Sequence, residues 1–412
     1  MLRRFAASLD GNLSMMAAGL MAAAAFISAC VIDYTSVVGQ NQNLQGLADH
    51  AALAAAQELV VSQATDVRVT AVAQRFVAAG YTQEQTTSAA IMDSGRAVQV
   101  TIEARPQTFF PDPITSGIKV VKVSSTAAVS GGGYVCMIGL DQKSVATLNM
   151  MNKARLSATK CAVYSNSLSS KSFWLHDTAR VAADLVCISG GLQGPVEAFT
   201  QSKPVLDCPA IDDPLRDRPK PAMASQARCD YSNETVTFNK TVTLQPGVYC
   251  GGITVAGGHA TLAPGIYVIR GGPLFIAGGT LEGTNVGFFL TGSASTVNFG
   301  ANSHVSLTAP KTGDLAGLLF FEDRDTSFST FHQISSNDAR SLVGTMYFPK
   351  SKLLINANNP VADQSEYTII IAREFELRDG PVLVLNTNYE ASPIPVPKGI
   401  GNNIETKIHL VK

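Results

Sequence analysis

LQPGVYCGGITVAGGHATLAPGIYVIRGGPLFIAGG, residues 244–279, holds two passes of one pattern. Leu244-x-Pro246-Gly247-Val248-Tyr249 returns eighteen residues later as Leu262-x-Pro264-Gly265-Ile266-Tyr267. Gly251-Gly252-Ile253-Thr254-Val255-Ala256-Gly257-Gly258 returns as Gly271-Gly272-Pro273-Leu274-Phe275-Ile276-Ala277-Gly278-Gly279. Each pass consists of β-branched and apolar runs too short for a helix, broken by glycine pairs, which reads as strands and tight corners. Similar runs follow at 286–290, 296–299, 305–307, 317–321, 344–348, 353–355, 368–371 and 382–385. Short strands, glycine corners and a repeat of about 20 residues predict a right-handed parallel β-helix over residues 131–392, each turn stacking an apolar rung on the last. A β-sandwich is the alternative, and it calls for longer, more evenly alternating strands. Pro204, Pro209, Pro214, Pro219 and Pro221 break the pattern, so 203–222 is predicted to be an exposed loop.

Working outward toward the N-terminus, Gly131-Gly132-Gly133 marks a boundary, and residues 65–130 read as a small α/β domain. Helical spacing over 67–79 ends at Gly80, a C′ glycine by position. Alternation over 97–103 and 118–124 predicts two strands joined through the loop 105–117 and packed on the helices, as in a pilin head. Before this domain the chain has no charged side chain from Gly11 to Ile32 and no proline until Pro106. An apolar stretch of that length can span a bilayer. A helical beat continues through Val37, Val38, Leu44, Leu47, Ala48, Ala51, Ala54, Ala55 and Leu59. Residues 1–64 are therefore predicted to be a short tip and one helix of about 50 residues, half in lipid and half beyond it. Residues 393–412 form a C-terminal tail.

Charged residues make up 15% of the 412, and the formal net charge is −1, so no basic surface for nucleic acid is encoded. Arg3 and Arg4 precede the apolar stretch, and no Lys or Arg follows until Arg68, which orients a single span with its N-terminus in the cytoplasm. Cys30 lies within the span, and Cys136, Cys161, Cys187, Cys208, Cys229 and Cys250 all lie beyond it. An even set on one side argues for disulfides in an oxidising compartment. Six cysteines allow fifteen pairings; sequential neighbours, 136–161, 187–208 and 229–250, are the pairing adopted. Two processing routes compete with a permanent anchor: Ile27-Ser28-Ala29-Cys30 matches a lipobox, and a leader cut after Gly11 would put Met16 where type IV pilins carry glutamate.

Candidate chemistry is sparse. Asp325-Thr326-Ser327-Phe328-Ser329 fits a D-x-S-x-S metal loop, which would make the protein a metal-dependent adhesin, yet amphipathic helices are missing around it. Glu322, Asp323, Arg324, Asp325 and Asp338 could serve a polysaccharide-active enzyme on a β-helix, but a charge cluster between strands reads first as an exposed turn. His259 sits on a glycine corner with no acidic partner evident one turn away. The six histidines show no ligand spacing, and no nucleophile elbow, phosphate loop or dinucleotide motif occurs. The expectation is a protein with no catalytic residue, no metal and no cofactor. Gly19 and Ala23, four apart in the span, invite close helix packing.

Gly11-Asn12, the apolar span, Ile32-Asp33-Tyr34, Leu44-Gln45-Gly46-Leu47-Ala48-Asp49 and Ala51-Ala52-Leu53-Ala54-Ala55-Ala56 resemble the TadG-like proteins of the tight-adherence (Tad/Flp) pilus systems. Val135-Cys136, Cys161-x-Val163-x-Ser165-Asn166-Ser167, Pro246-Gly247-Val248-Tyr249-Cys250-Gly251-Gly252, Leu307-Thr308-Ala309-Pro310 and Gly344-Thr345-Met346-Tyr347-Phe348-Pro349 extend the likeness into the β region. The resemblance implies a non-enzymatic, minor-pilin-like component acting in pilus assembly, anchoring or surface adhesion. It implies a bacterial inner-membrane location, with the C-terminal bulk in the periplasm or at the cell surface. Partners would be other minor pilins or assembly proteins met through the helix, and a surface protein or glycan met by the head. Assembly residues would be Gly11, Asn12, Gly19, Ala23, Asp33, Gln45 and Asp49.

Overall fold

A computed structural model describes residues 10–61, 65–92, 97–106, 120–130, 134–327, 331–397, 400 and 407–411. The chain divides into two compact units, residues 1–129 with 408–412, and residues 130–407. The predicted loop 105–117 and the Gly131-Gly132-Gly133 boundary fall largely or wholly outside the described residues.

The first unit is built on helix α1, Asp10–Val61, followed by α2, Asp66–Gly80. At 1.5 Å per residue the 52 residues of α1 make a rod of about 78 Å. Its second half is buried at Leu44, Ala48, Ala51, Ala52, Ala55 and Ala56, with Val69, Ala73 and Val77 of α2 facing the same core. Alanine at these positions lets two helices and a sheet approach closely, so this alanine-rich stretch is a core face rather than a solvated extension. The sheet is antiparallel, β1 (Gln85–Met92), β2 (Ala97–Ala104) and β3 (Val121–Ser130), completed by the C-terminal strand Lys407–Val411 beside β3. Val98, Val100 and Ile102 alternate into the core, as their period of two requires. Two strands were expected here; the structure adds a polar first strand and one from the far end of the chain. Gly80 is the last helical residue, and a Cβ there would meet Leu47 Cδ2 at 2.5 Å, so it serves close approach to α1.

The second unit is a parallel β-solenoid of about ten turns. Each turn contributes to three faces. Face A stacks 247–250, 267–270, 288–290, 320–321 and 345–348. Face B stacks 253–256, 274–276, 297–299, 331–334, 352–355 and 374–377. Face C stacks 241–244, 259–262, 280–283, 304–308 and 338–343. The glycine pairs stack on one another: at Gly252, with φ +86°, a Cβ would lie 2.1 Å from the Pro273 carbonyl oxygen, and at Gly272 it would lie 2.1 Å from the backbone of Gly251. Only a residue without a side chain permits that contact. Inside, Tyr231, Tyr249, Tyr267, Phe288, Phe320 and Phe348 form a continuous ring stack, with successive centroids 4.5, 5.8, 5.5, 5.2 and 5.9 Å apart.

The turns do not stack in chain order. Ile370–Ala372 and Phe375–Leu377, on the last full turn, pair in parallel with Met137–Gly139 and Leu148–Met150, on the first. Val382–Val384 likewise pairs with Arg155–Ser157. The chain therefore enters and leaves the solenoid side by side within the stack, where Tyr134 and Tyr389 rings meet at 4.7 Å. Both end turns come from mid-sequence. One contains Arg180–Ile188, covered by bridges to Phe199 and Val205, and the other contains Tyr231–Thr237 and Thr241–Leu244.

Linking these two ends, residues 205–230 run as a strap along the flank. Asn166 donates to the Ile211 carbonyl (2.7 Å), Tyr347 to the Asp213 carboxylate (2.6 Å), Arg324 to the carbonyls of Leu215 (3.2 Å) and Arg218 (2.5 Å), and Arg270 to that of Ala224 (3.1 Å). Val205, Cys208, Leu215 and Pro221 are buried. The expected exposed loop is thus a fastened strap. Its prolines remove donors that no ladder would satisfy, while its carbonyls take side-chain donors from successive turns.

Candidate functional site

The first half of α1 has a surface unlike the rest of the molecule. Leu20, Met21, Phe26, Ile27, Val31 and Ile32 are 49–70% exposed, and every described side chain from 17 to 28 is exposed. Removing six such groups from water is worth on the order of 5–10 kcal/mol, which makes an aqueous setting for this half unfavourable. The helix meets the length and hydropathy requirements for crossing a membrane, with the candidate stretch at Ala17–Leu59. Gly19 and Ala23 lie four apart on this exposed half, with open space around Gly19. Gly11 and Asn12 lie in its first turns, and the Asn12 side chain is outside what the structure describes. Cys30 is a free thiol in mid-helix.

Asp33 is buried where the bare half gives way to the packed half. Gln45 donates from Nε2 to the Asp49 carboxylate (3.0 Å) and to the Ser124 carbonyl (3.1 Å). Of the residues marked for assembly, Gln45 and Asp49 therefore tie α1 to β3, whereas Gly19 and Ala23 are presented outward.

In the solenoid the disulfides join Cys136 to Cys161, Cys187 to Cys208, and Cys229 to Cys250. The last two pin the strap at its two ends. The charged run at the end of the 318–322 strand is an exposed turn only in part, with the Asp325 side chain 81% exposed. Glu322 is 2% and Asp323 8% exposed. Glu322 accepts from the Lys350 backbone N–H (2.9 Å) and the Ser351 hydroxyl, and its Oε1 lies 3.4 Å from His332 Nε2. The Val297 N–H donates to His332 Nδ1 (3.0 Å), and the ring stacks on Phe348. Asp323 and Asp325 clasp Lys220 of the strap at 2.6 and 2.5 Å. The D-x-S-x-S loop thus gives its first carboxylate to an ammonium group; Phe328 and Ser329 lie outside the described residues. Among the described residues no group of three or more His, Cys, Asp or Glu is arranged to hold a metal ion.

Beside Asp213 of the strap, Leu140, Lys143, Arg324 and Lys350 line a cavity of about 450 Å³. Burial raises the Asp213 carboxyl above its usual range, against the lowering effect of the Tyr347 hydroxyl, the Leu215 N–H and the Arg324 charge. Arg373, also lining it, pairs with Asp141 (3.0 Å) and Glu374 (2.7 Å). Tyr347 and Arg324 fasten the strap to the solenoid here, whereas the Arg373 pairs lie within the solenoid.

Face C holds the feature the sequence reading did not find. His259 is a strand residue, and Glu282 of the next turn approaches its Nε2 at 3.8 Å. His304, one turn further, lies 3.3 Å from Glu282 through Nε2 and 2.8 Å from Asp338 through Nδ1. Arg340 then pairs with Asp363 of the following turn. An ionisable row thus runs over successive turns, with Glu282 as the acidic neighbour of His259. Turn lengths differ, 24 residues from Thr280 to His304 but 34 from His304 to Asp338, so a search at fixed spacing misses it.

An apolar helix long enough to cross a membrane, a small α/β unit and a disulfide-linked β-solenoid follow one another along the chain. Residues 11–58 match the family model described as putative Flp pilus-assembly TadE/G-like, so the N-terminal helix is similar to the TadE/G-like segment of Flp pilus assembly. The match covers the helix and stops short of the solenoid. No curated protein and no solved structure matches the chain.

Proposed function

We propose that the protein is a minor-pilin-like component of a Tad/Flp pilus system. The bare half of α1 would anchor it in the inner membrane, the cytoplasmic end would be N-terminal, and the solenoid would stand on the far side as a rigid head. The single observation that carries this reading is the division of α1 into an unpacked apolar half and a half buried in its own domain, along the stretch that matches the pilus-assembly family. The role is mechanical rather than catalytic: exposed small residues at Gly19 and Ala23 allow close approach of sister helices, and the stacked turns present a long stiff flank. Arg3 and Arg4 before the span, with no further base until Arg68, support the orientation. The three disulfides agree with an oxidising compartment for the head.

Single cysteines test it. In spheroplasts, a membrane-impermeant maleimide is expected to label Lys311→Cys at once and Ser8→Cys only after lysis. The reverse pattern, or recovery of the full-length chain in the soluble fraction, overturns the proposed anchoring.

A further inference from the structure

We propose that face C of the solenoid binds a linear, neutral, hydroxyl-rich glycan lying along the stacking direction. It deepens the reading of an exported head by naming what that head would hold. The register puts His259, Thr280, His304 and Asp338 in one outward row on successive turns, with Glu282 between the two histidines. Beside this row lies a groove of about 650 Å³ lined by Thr280, Asn302, His304, Asn337, Asp338 and Arg340, among others. The row side chains are open to solvent, His304 39% and Asp338 54% exposed, so they are not core polar groups satisfied on folding.

Three arguments select the ligand. Turns of a parallel solenoid repeat about every 4.8 Å, a spacing comparable with the rise of one residue in an extended β-1,4-linked chain, so each sugar meets an equivalent row position. Sugar hydroxyls both donate and accept, and the groove supplies both functions: carboxylates accept, amides and guanidinium donate, and imidazole does either. The charge balance excludes sulfated or phosphorylated polymers, because Glu282, Asp338 and Asp363 outnumber Arg340 as fixed charges along this strip. Stability does not explain the row, since exposed ion pairs contribute only about 0–1 kcal/mol. The groove lining named above has no Phe, Tyr or Trp for a sugar to stack on, so recognition rests on hydrogen bonds and affinity is expected to be modest.

Calorimetric titration of the full-length protein in detergent, with cellohexaose and with chitohexaose, tests the site. Saturable binding of at least one hexasaccharide in the millimolar range or tighter is expected. His304→Ala and Asp338→Asn should each weaken it at least tenfold, Lys311→Ala should leave it unchanged, and near-ultraviolet circular dichroism should match across all four proteins. Absence of binding by both sugars, or equal binding by wild type and the two row variants, overturns the proposal. Because the titration needs neither export nor a pilus, a glycan site can fail while the pilus reading stands, and the converse.

Discussion

At the scale of the residue, the corner glycines separate two roles that look alike in sequence. Gly271, at φ +66°, has nothing within 4 Å of where a Cβ would stand, whereas Gly272 has the Gly251 backbone at 2.1 Å. Gly271→Asn, which tolerates that backbone region, should alter stability by no more than about 0.5 kcal/mol. Gly272→Ala should cost about 2–3 kcal/mol, because a backbone cannot step aside as a side chain can. Paired urea melts decide between them. Asp213 makes a different residue-level prediction. Its folded carboxyl holds a proton more tightly than the unfolded one, so as pH rises through 3.8 the unfolded chain ionises first and stability falls until the folded group ionises too. Asp213→Asn should remove that fall, visible as a flatter denaturation midpoint between acid and neutral pH. The glycine pairs were legible from their spacing, but the burial that raises Asp213 was not, because the strap that carries it has no periodicity.

At the scale of the element, the ring stack and the strap carry separate loads. Phe320 touches Phe288, Phe299 and Phe348, with centroids at 5.2, 6.2 and 5.9 Å. Phe320→Ala should lower stability by about 3–5 kcal/mol, since stacked turns above and below cannot collapse into the void. The strap depends on its end clasps. Each closes a separation of 21 residues, and replacing Cys229 and Cys250 by serine should cost roughly 3 kcal/mol and open the flank to protease near 211–224 first. Tyrosine and phenylalanine at the ends of the repeated runs were readable as strand residues. Their alignment into one column required the register, which glycine corners and unequal loops set. Helix α1 was readable end to end, yet its alanines gave no sign that half of them face a core, because alanine suits a solvated helix equally well.

At the scale of the whole molecule, solenoid and helix were legible in outline because both rest on short-range periodicity. The stacking order was not. Ile370 pairs with Met137 across most of the solenoid's sequence, and no local pattern names a partner at that distance. The C-terminal strand beside β3 is hidden for the same reason. A chain ending at residue 366 should therefore lose more than its last turns. It would leave the 135–193 turns and the 231–355 turns as two blocks with exposed apolar edges, and limited proteolysis should yield two unstable fragments rather than one shortened rod.

A coil normally unspools from a loose end under tension. Here neither chain end is a loose end of the rod, because the chain enters beside Tyr134 and leaves beside Tyr389, between turns that are already stacked on both sides. The two turns that could peel are mid-sequence and are each tied by a disulfide to the strap. A pull on either end of the solenoid must shear several ladders together instead of stripping one turn at a time.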